Sequence, residues 1–282
     1  MSTARLATQH IAETGSTSSD LLARVREAAA AGAADFAPCL LVADGQTAGR
    51  GRHGRSWHAT PGASLTFSLA WPIAAGDFSG LSLAVGTALA DALDPPPATT
   101  ATALPAAWRI GLKWPNDLWL VGTNEDGVER AGRKLGGVLI ETAPFGARRV
   151  AVIGVGLNVL PQSVDDAASG VAWLAEIDAA TTPASALDRV VAPLVAALQR
   201  FERAGFAAFA DRFAARDVLH GRRVCAGLHG EIEGVGAGVS AHGDLLVRTD
   251  HGTVPVASGE VRVRLLGDAA EARQPTSSAT PC

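Results

Sequence analysis

The chain has 282 residues and a net charge of -4, too mild a charge for the surface as a whole to coat nucleic acid or anionic lipid. Hydrophobic residues make up 48% and charged residues 18%, which excludes global disorder and suits one large folded domain with a small appendage. No segment approaches the roughly 20 apolar residues that span a bilayer, and the N-terminus lacks a signal-peptide pattern, so a cytoplasmic protein with no membrane partner is expected.

In chain order, Ser16, Thr17 and Ser18 can cap a helix with Leu21, Leu22 and Val25 on its apolar face, running to Gly32. Cys39 to Ala43 is an apolar run suited to a strand buried on both faces, and Asp44 to Trp57 is a loop rich in Gly and Arg. A strand over Ser64 to Trp71 and a helix over Leu81 to Leu93 follow, then a surface connection from Asp94 to Ala107. Strands are predicted at Ile110 to Trp114, Asp117 to Val121, Lys134 to Glu141 and Val150 to Leu157, with Gly122 to Gly132 as a hairpin loop. Helices are predicted at Ser169 to Glu176 and over Ala184 to Arg216, the latter broken near Gly205. From Leu219 to Leu266 short β-prone runs punctuated by glycine suit a small antiparallel barrel, and Asp268 to Cys282 reads as a disordered tail. Cys39, Cys225 and Cys282 are widely spaced, with no CxxC pair and no histidine at metal-ligand spacing, so neither a disulfide framework nor a zinc site is indicated.

Four segments carry chemistry. Gly49 to Arg55 (GRGRHGR) can bring guanidinium and backbone N–H groups close to a phosphate or carboxylate, although an Arg-Gly loop that is merely solvated has the same composition. Lys113 to Asp117 (KWPND) places a cation, an aromatic plane and two polar side chains at a strand end, where Asp117 could hold Mg²⁺ with nucleotide phosphates; an Asx-turn that only reverses the chain is the plain alternative. In RKLGG, Lys134 stands where a loop enters the sheet and could neutralise an attacking carboxylate, whereas most lysines at strand ends are only solvated. GVGLN, Gly154 to Asn158, ends a strand with small residues that admit either a planar ligand or tight packing.

Taken in order, STSS, GQTAGRGRHGRSW, KWPNDL, RKLGGVLIE and GVGLNV resemble the catalytic domain of biotin protein ligases over Ile11 to Val159. The resemblance implies an α+β fold: a catalytic domain with a central mixed sheet and flanking helices over residues 1–217, an SH3-like domain over 218–267, and a tail over 268–282. It implies two acyl transfers at one site: biotin and MgATP give biotinyl-5′-AMP and pyrophosphate, and a lysine of a biotin carboxyl carrier protein then takes the biotin. Lys134 and Arg52 would be catalytic. Biotin would be held by Ser16, Thr17, Ser18, Gln46, Arg50, Gly51, Arg52, Lys134, Gly154 and Gly156. The nucleotide would meet Arg52, Arg55, Trp57, Lys113, Asn116, Asp117 and Asn158, with Asp117 on the metal. The glycine-rich loop would close over the adenylate as a lid.

This chain departs from the family at Ser18, where asparagine is usual. About ten residues precede the resembling region, too few for the winged helix with which some members repress transcription, so no DNA-binding role is expected. Sheet-edge homodimers occur in some relatives, which leaves a homodimer open here. Lipoate and octanoate ligases share the implied fold but lack the paired arginine-loop and KWPND motifs. A nucleic-acid-binding protein using the Arg-Gly loop is disfavoured by the negative net charge.

Overall fold

The computed structural model describes residues 6–74, 76–95, 108–123, 129–162, 170–227, 231–258 and 262–265. Strands β1 (Ala7–Thr14), β2 (Cys39–Gln46), β3 (Ser64–Ile73), β4 (Trp108–Lys113), β5 (Asp117–Thr123), β6 (Glu129–Phe145) and β7 (Arg148–Asn158) form one sheet in the order β1-β2-β3-β7-β6-β5-β4. Only β1 and β2 are parallel; the other neighbours are antiparallel, so the sheet is mixed, as expected from the sequence. A second sheet, β11-β10-β9-β8-β12, is antiparallel and built from β8 (Arg223–Gly227), β9 (Ile232–Val239), β10 (Leu245–Thr249), β11 (Gly252–Val256) and β12 (Arg262–Leu265).

Helices cover both faces of the large sheet, which is why its middle strands read as continuous apolar runs. On one face, α1 (Thr17–Ala30) packs Leu21, Leu22 and Val25 against Leu41, Ala70, Val150 and Val152. On the other, α2 (Leu81–Leu93) and α3 (Pro183–Ala204) enclose Leu40, Val42, Phe67, Leu69, Ile153 and Val155. Alternate residues of β2 and β7 thus divide between two cores, as the two-residue period of a strand requires. The helix from 184 breaks at Gly205 as read, then continues as a 3₁₀ turn at Phe206–Phe209 and a short α4 (Ala210–Ala214).

Three expectations are corrected. The sequence reading has no strand before α1, yet β1 pairs with β2 along its length; its residues are mostly exposed at the sheet edge, so no apolar period marks it. The helix expected at Ser169 to Glu176 is a single 3₁₀ turn at Leu174–Glu176, preceded by Gly170 and Ala172 hydrogen-bonded to the backbone of Lys134; residues 163–169 lie outside the described residues. The hairpin loop expected over 122–132 is shorter, because β5 reaches Thr123 and β6 starts at Glu129; residues 124–128 lie outside the described residues. Most of the 94–107 connection and the whole 268–282 tail also lie outside them.

The two sheets are joined through the edge strand β4. Leu112 N–H donates to Arg216 O at 2.7 Å and Val218 N–H to Leu112 O at 3.1 Å, so the chain runs beside β4 before entering β8. The Arg216 side chain, 4% exposed, donates to Asp91 Oδ1 at 2.8 Å, Asp94 Oδ2 at 3.0 Å and Ile110 O at 2.8 Å, and also to Asp94 O. The turn between β9 and β10 then docks on the large sheet: Trp114 Nε1 donates to Gly243 O at 2.9 Å, both buried in the contact.

Removing Arg216 takes a buried cation from two carboxylates at this joint, leaving Asp91 to Arg212 and Asp94 to the Ile110 N–H. Arg216→Ala is expected to lower unfolding stability by about 3 kcal/mol, read as the denaturant midpoint. Next to it, burial raises the Asp217 carboxyl above its ordinary value of 3.8, opposed by the Leu219 N–H and by His220, and its Oδ2 has no hydrogen-bond partner. A raised folded-state pKa means that the group's contribution is complete below the unfolded value and is lost as pH rises through the folded one. Asp217→Asn should therefore stabilise the protein at neutral pH, and the gain should disappear in acid; equal midpoints at pH 7 would refute this.

Candidate active site

The site begins where α1 begins. Ser16 caps the helix by accepting from Ser19 N–H at 3.4 Å, so the helix starts over the middle of the sheet and leaves the rest of that face uncovered. Cross-strand partners share a face. The row under the first turn of the helix runs Leu41, Ser68, Gly154, Leu139, and the next, beyond it, runs Ala43, Thr66, Gly156, Gly137, Asp117. The middle of both rows, Ser68 and Gly154 in one and Thr66, Gly156 and Gly137 in the other, is made of small or hydroxyl residues because larger ones would fill the floor. A Cβ on Gly154 would press on Ser18 Oγ, and one on Gly156 would collide with the indole of Trp57.

Lys134 reaches this floor through a bulge. The pairing of β5 with β6 shifts between Leu118 and Trp119, which face Gly136 and Lys134 respectively, so Leu135 is the extra residue and goes to the core. An unbroken alternation from Gly137 would have turned Lys134 to the opposite face. Instead Lys134 Nζ lies 2.8 Å from Asp117 Oδ1 and 6.0 Å from the centre of the Trp57 ring. Its backbone is fixed on the open side: Lys134 N–H donates to Gly170 O at 3.1 Å and Ala172 N–H to Lys134 O at 2.9 Å. Asn158 Nδ2 donates to the same Lys134 carbonyl at 3.4 Å, and neighbouring Arg133 is clamped by Glu176 at 2.5 and 3.1 Å.

The arginine loop folds over the floor. Gln46 and Ala59 form a bridge at its base and Arg50 and Ser56 another nearer its tip, where His53 has φ 55° and Gly54 φ 71°. Gly49 permits the crossing, since its Cβ would strike the Trp57 carbonyl. Arg52 donates to Ser258 O on the segment that follows β11. Burial lowers the Arg52 pKa, and the Asp117 carboxylate opposes that shift. Lys134 thus meets Asp117 and faces the Trp57 ring, and Arg52 feels the Asp117 charge: two cations, one carboxylate and an aromatic face.

At the helix end of the floor, Gln46 Oε1 accepts from Thr17 N–H at 2.8 Å and from Thr17 Oγ1 at 3.1 Å. The Thr17 and Ser18 hydroxyls both lie against Ser68 Oγ, at 2.7 and 2.9 Å. Ser68 and Thr66 were not singled out from the sequence; both sit in SLTFSLAW, where only the alternation of polar with apolar residues hinted at a second, non-core face. Thr66 Oγ1 and Trp57 Nε1, both beside Gly156, are buried with no hydrogen-bond partner.

Other residues read from the sequence turn elsewhere. Arg50 forms a bidentate pair with Glu141 at 3.0 and 3.2 Å and reaches Ser19 at 3.5 Å. Arg55 is exposed, with its backbone closing the loop tip. Lys113 lies over the Trp119 ring at 4.3 Å. Asn116 donates to Val138 O at 2.9 Å and ties the KWPND turn to β6. Gly51 lies in the loop close to the Arg55 carbonyl.

The sequence matches the Biotin/lipoate A/B protein ligase family over residues 36–158 and the biotin protein ligase C terminal domain over residues 219–264. It is 37% identical over 266 residues to a biotin–acetyl-CoA-carboxylase ligase of Mycobacterium tuberculosis, covering 89% of this chain and 86% of that protein. It is 32% identical to the bifunctional ligase/repressor BirA of Salmonella typhimurium over 79% of this chain and 66% of that protein. The fold superposes on a biotin protein ligase from Aquifex aeolicus in complex with biotin and ATP with a TM-score of 0.71 and 25% identity, over 92% of this chain and 99% of that one.

The Arg50–Glu141 pair fastens the loop to β6. Glu141→Gln is expected to increase tryptic cleavage at Arg50, Arg52 and Arg55 by about fivefold, the worth of one surface pair of good geometry; an unchanged digestion rate would show that the pair does not hold the loop.

Proposed function

Because the chain belongs to the biotin protein ligase family, we propose that it joins biotin to ATP as biotinyl-5′-AMP and then passes the biotin to a lysine of a biotin carboxyl carrier protein. The observation that carries this reading is the meeting of Lys134 with Asp117, facing the Trp57 ring, at one end of a small-residue floor. In the first step a biotin carboxylate oxygen forms a bond to the α-phosphorus of ATP, and the bond to the bridging oxygen breaks as pyrophosphate leaves. Lys134 Nζ would stand between the approaching carboxylate and the phosphate, reducing their repulsion; Arg52 would carry the charge that grows on the phosphorus oxygens. No side chain becomes covalently attached, so the rate comes from positioning and charge. In the second step the acceptor amine attacks the acyl carbon, the bond to the phosphate oxygen breaks with release of AMP, and the amine loses a proton to solvent.

Magnesium is expected to arrive with ATP and to screen the phosphate charge during attack. The protein offers Asp117 as the carboxylate for it, and among the described residues no three His, Cys, Asp or Glu side chains are grouped so as to hold a metal ion by themselves. A single carboxylate suits a cation that keeps water and phosphate ligands. Asp117 would release Lys134 to the substrates as the ion binds.

Trp57 would stack on the adenylate side, Thr17, Ser18, Gln46, Gly154 and Gly156 would surround the biotin rings, and Arg50 and Gly51 would close the loop once ligand is present. We divide the chain at 217/218, taking 1–217 as catalytic and 218–267 as its partner domain. The Arg52 and Trp114 contacts with Ser258 and Gly243 support a part for the second domain in shaping the nucleotide end of the site.

Biotin-dependent exchange of labelled pyrophosphate into ATP tests the reading, with lipoate and octanoate as competing acids. The wild type should exchange only with biotin, and Lys134→Ala should lower the rate by about 100- to 1,000-fold. Exchange driven by lipoate, or none with any acid, would overturn it.

A further inference from the structure

We propose that Ser68, which lies outside every motif read from the sequence, is a positioning residue that sets the hydrogen-bond polarity of the head-group pocket. The inference rests on the biotin reading above and specifies how the pocket tells one acid from another. Thr17 N–H can only donate, so the Gln46 atom 2.8 Å away is an oxygen and the amide orientation is fixed. That oxygen also faces Thr17 Oγ1 at 3.1 Å, so the Thr17 hydroxyl donates there. With its proton spent, Thr17 Oγ1 accepts from Ser68 across 2.7 Å. Ser68, its own proton spent in turn, accepts from Ser18 across 2.9 Å.

The protons therefore run one way, from Ser18 to Ser68 to Thr17 to Gln46. Ser68 is fully buried, so it acts only through its neighbours. What remains for a ligand is lone pairs on Ser18 and Thr17, and the Nε2 group of Gln46, which lies beside Gly49 at the base of the loop. Such a pocket takes a ring that donates N–H at one edge and accepts at its carbonyl, as a cyclic urea does. An acid with a purely hydrocarbon or disulfide ring has neither group. The chain also explains how Ser18 serves: its short hydroxyl is held by Ser68, and Gly154 leaves it room, because a Cβ at 154 would lie 2.5 Å from Ser18 Oγ.

The test measures pyrophosphate exchange with biotin and with desthiobiotin, which keeps the urea, for the wild type, Ser68→Ala, Ser18→Ala and the double variant. Biotin binding by calorimetry without ATP and thermal midpoints are measured on the same four proteins. Ser68→Ala should raise KM for biotin and desthiobiotin together by about tenfold, the worth of one buried hydrogen bond, with kcat and KM for ATP unchanged. The double variant should lose less than the product of the two single losses, since both substitutions cut one chain. Unchanged biotin KM, multiplicative losses, or a fall in kcat with biotin KM intact would overturn the proposal. If the wild type binds biotin in the calorimeter yet does not exchange, the ligase reading fails while the binding constants of the variants still decide the role of Ser68. If it does not bind biotin, both fall.

Discussion

The site depends on the place where α1 begins. A helix lying over a sheet seals the strands beneath it, and here the seal stops at Ser16, one strand row before Thr66, Gly156, Gly137 and Asp117. Because neighbouring strands are locked in register by backbone hydrogen bonds, that row cannot be refilled without shifting every strand. A bulky residue anywhere along it would close the floor, and a glycine where α1 packs would open the core. The boundary between stability and recognition is thus drawn by one capping hydroxyl and a line of small side chains.

The two ends of this floor do different work with different physics. Near α1 the contacts are neutral, short and buried, and they are directional because each hydroxyl has only one proton to give. At the β5 end the contacts are charged, and both Lys134 and Asp117 keep partial access to solvent. A group held there can change partners at little cost, which suits a place where charge moves during reaction. Between the two ends lies Trp57, whose indole rests on Gly156. The loop that supplies it is fastened at separate points to β6 and to the segment after β11.

Much of this was legible in the sequence because it is written in local chemistry. The apolar runs of β2 and β7, the cap of α1, the break at Gly205 and the glycine-punctuated strands after Leu219 follow from patterns of a few residues. The arginine loop and KWPND could be singled out as chemically dense, and Lys134 pairs with Asp117 and faces the Trp57 ring. What could not be read depends on pairing. β1 exists because β2 offers it an edge, while its own residues carry no period. The bulge at Leu135 decides which face Lys134 takes, and nothing in RKLGG announces it. Ser68 was hidden for the same reason: its partners, Thr17 and Ser18, lie 51 and 50 residues away.

The docking of the small sheet has a consequence for synthesis. Trp114 meets Gly243 across 129 residues of chain and Arg52 meets Ser258 across 206. While the ribosome is still making the C-terminal strands, neither contact exists, so the KWPND turn and the arginine loop emerge without their later supports. The large sheet can gather its strands during translation, but its reactive end is completed only when the last β-strands are released. A nascent chain truncated before Gly243 would thus carry Arg52, Asp117 and Lys134 and still lack the brace that meets the loop and turn beside them.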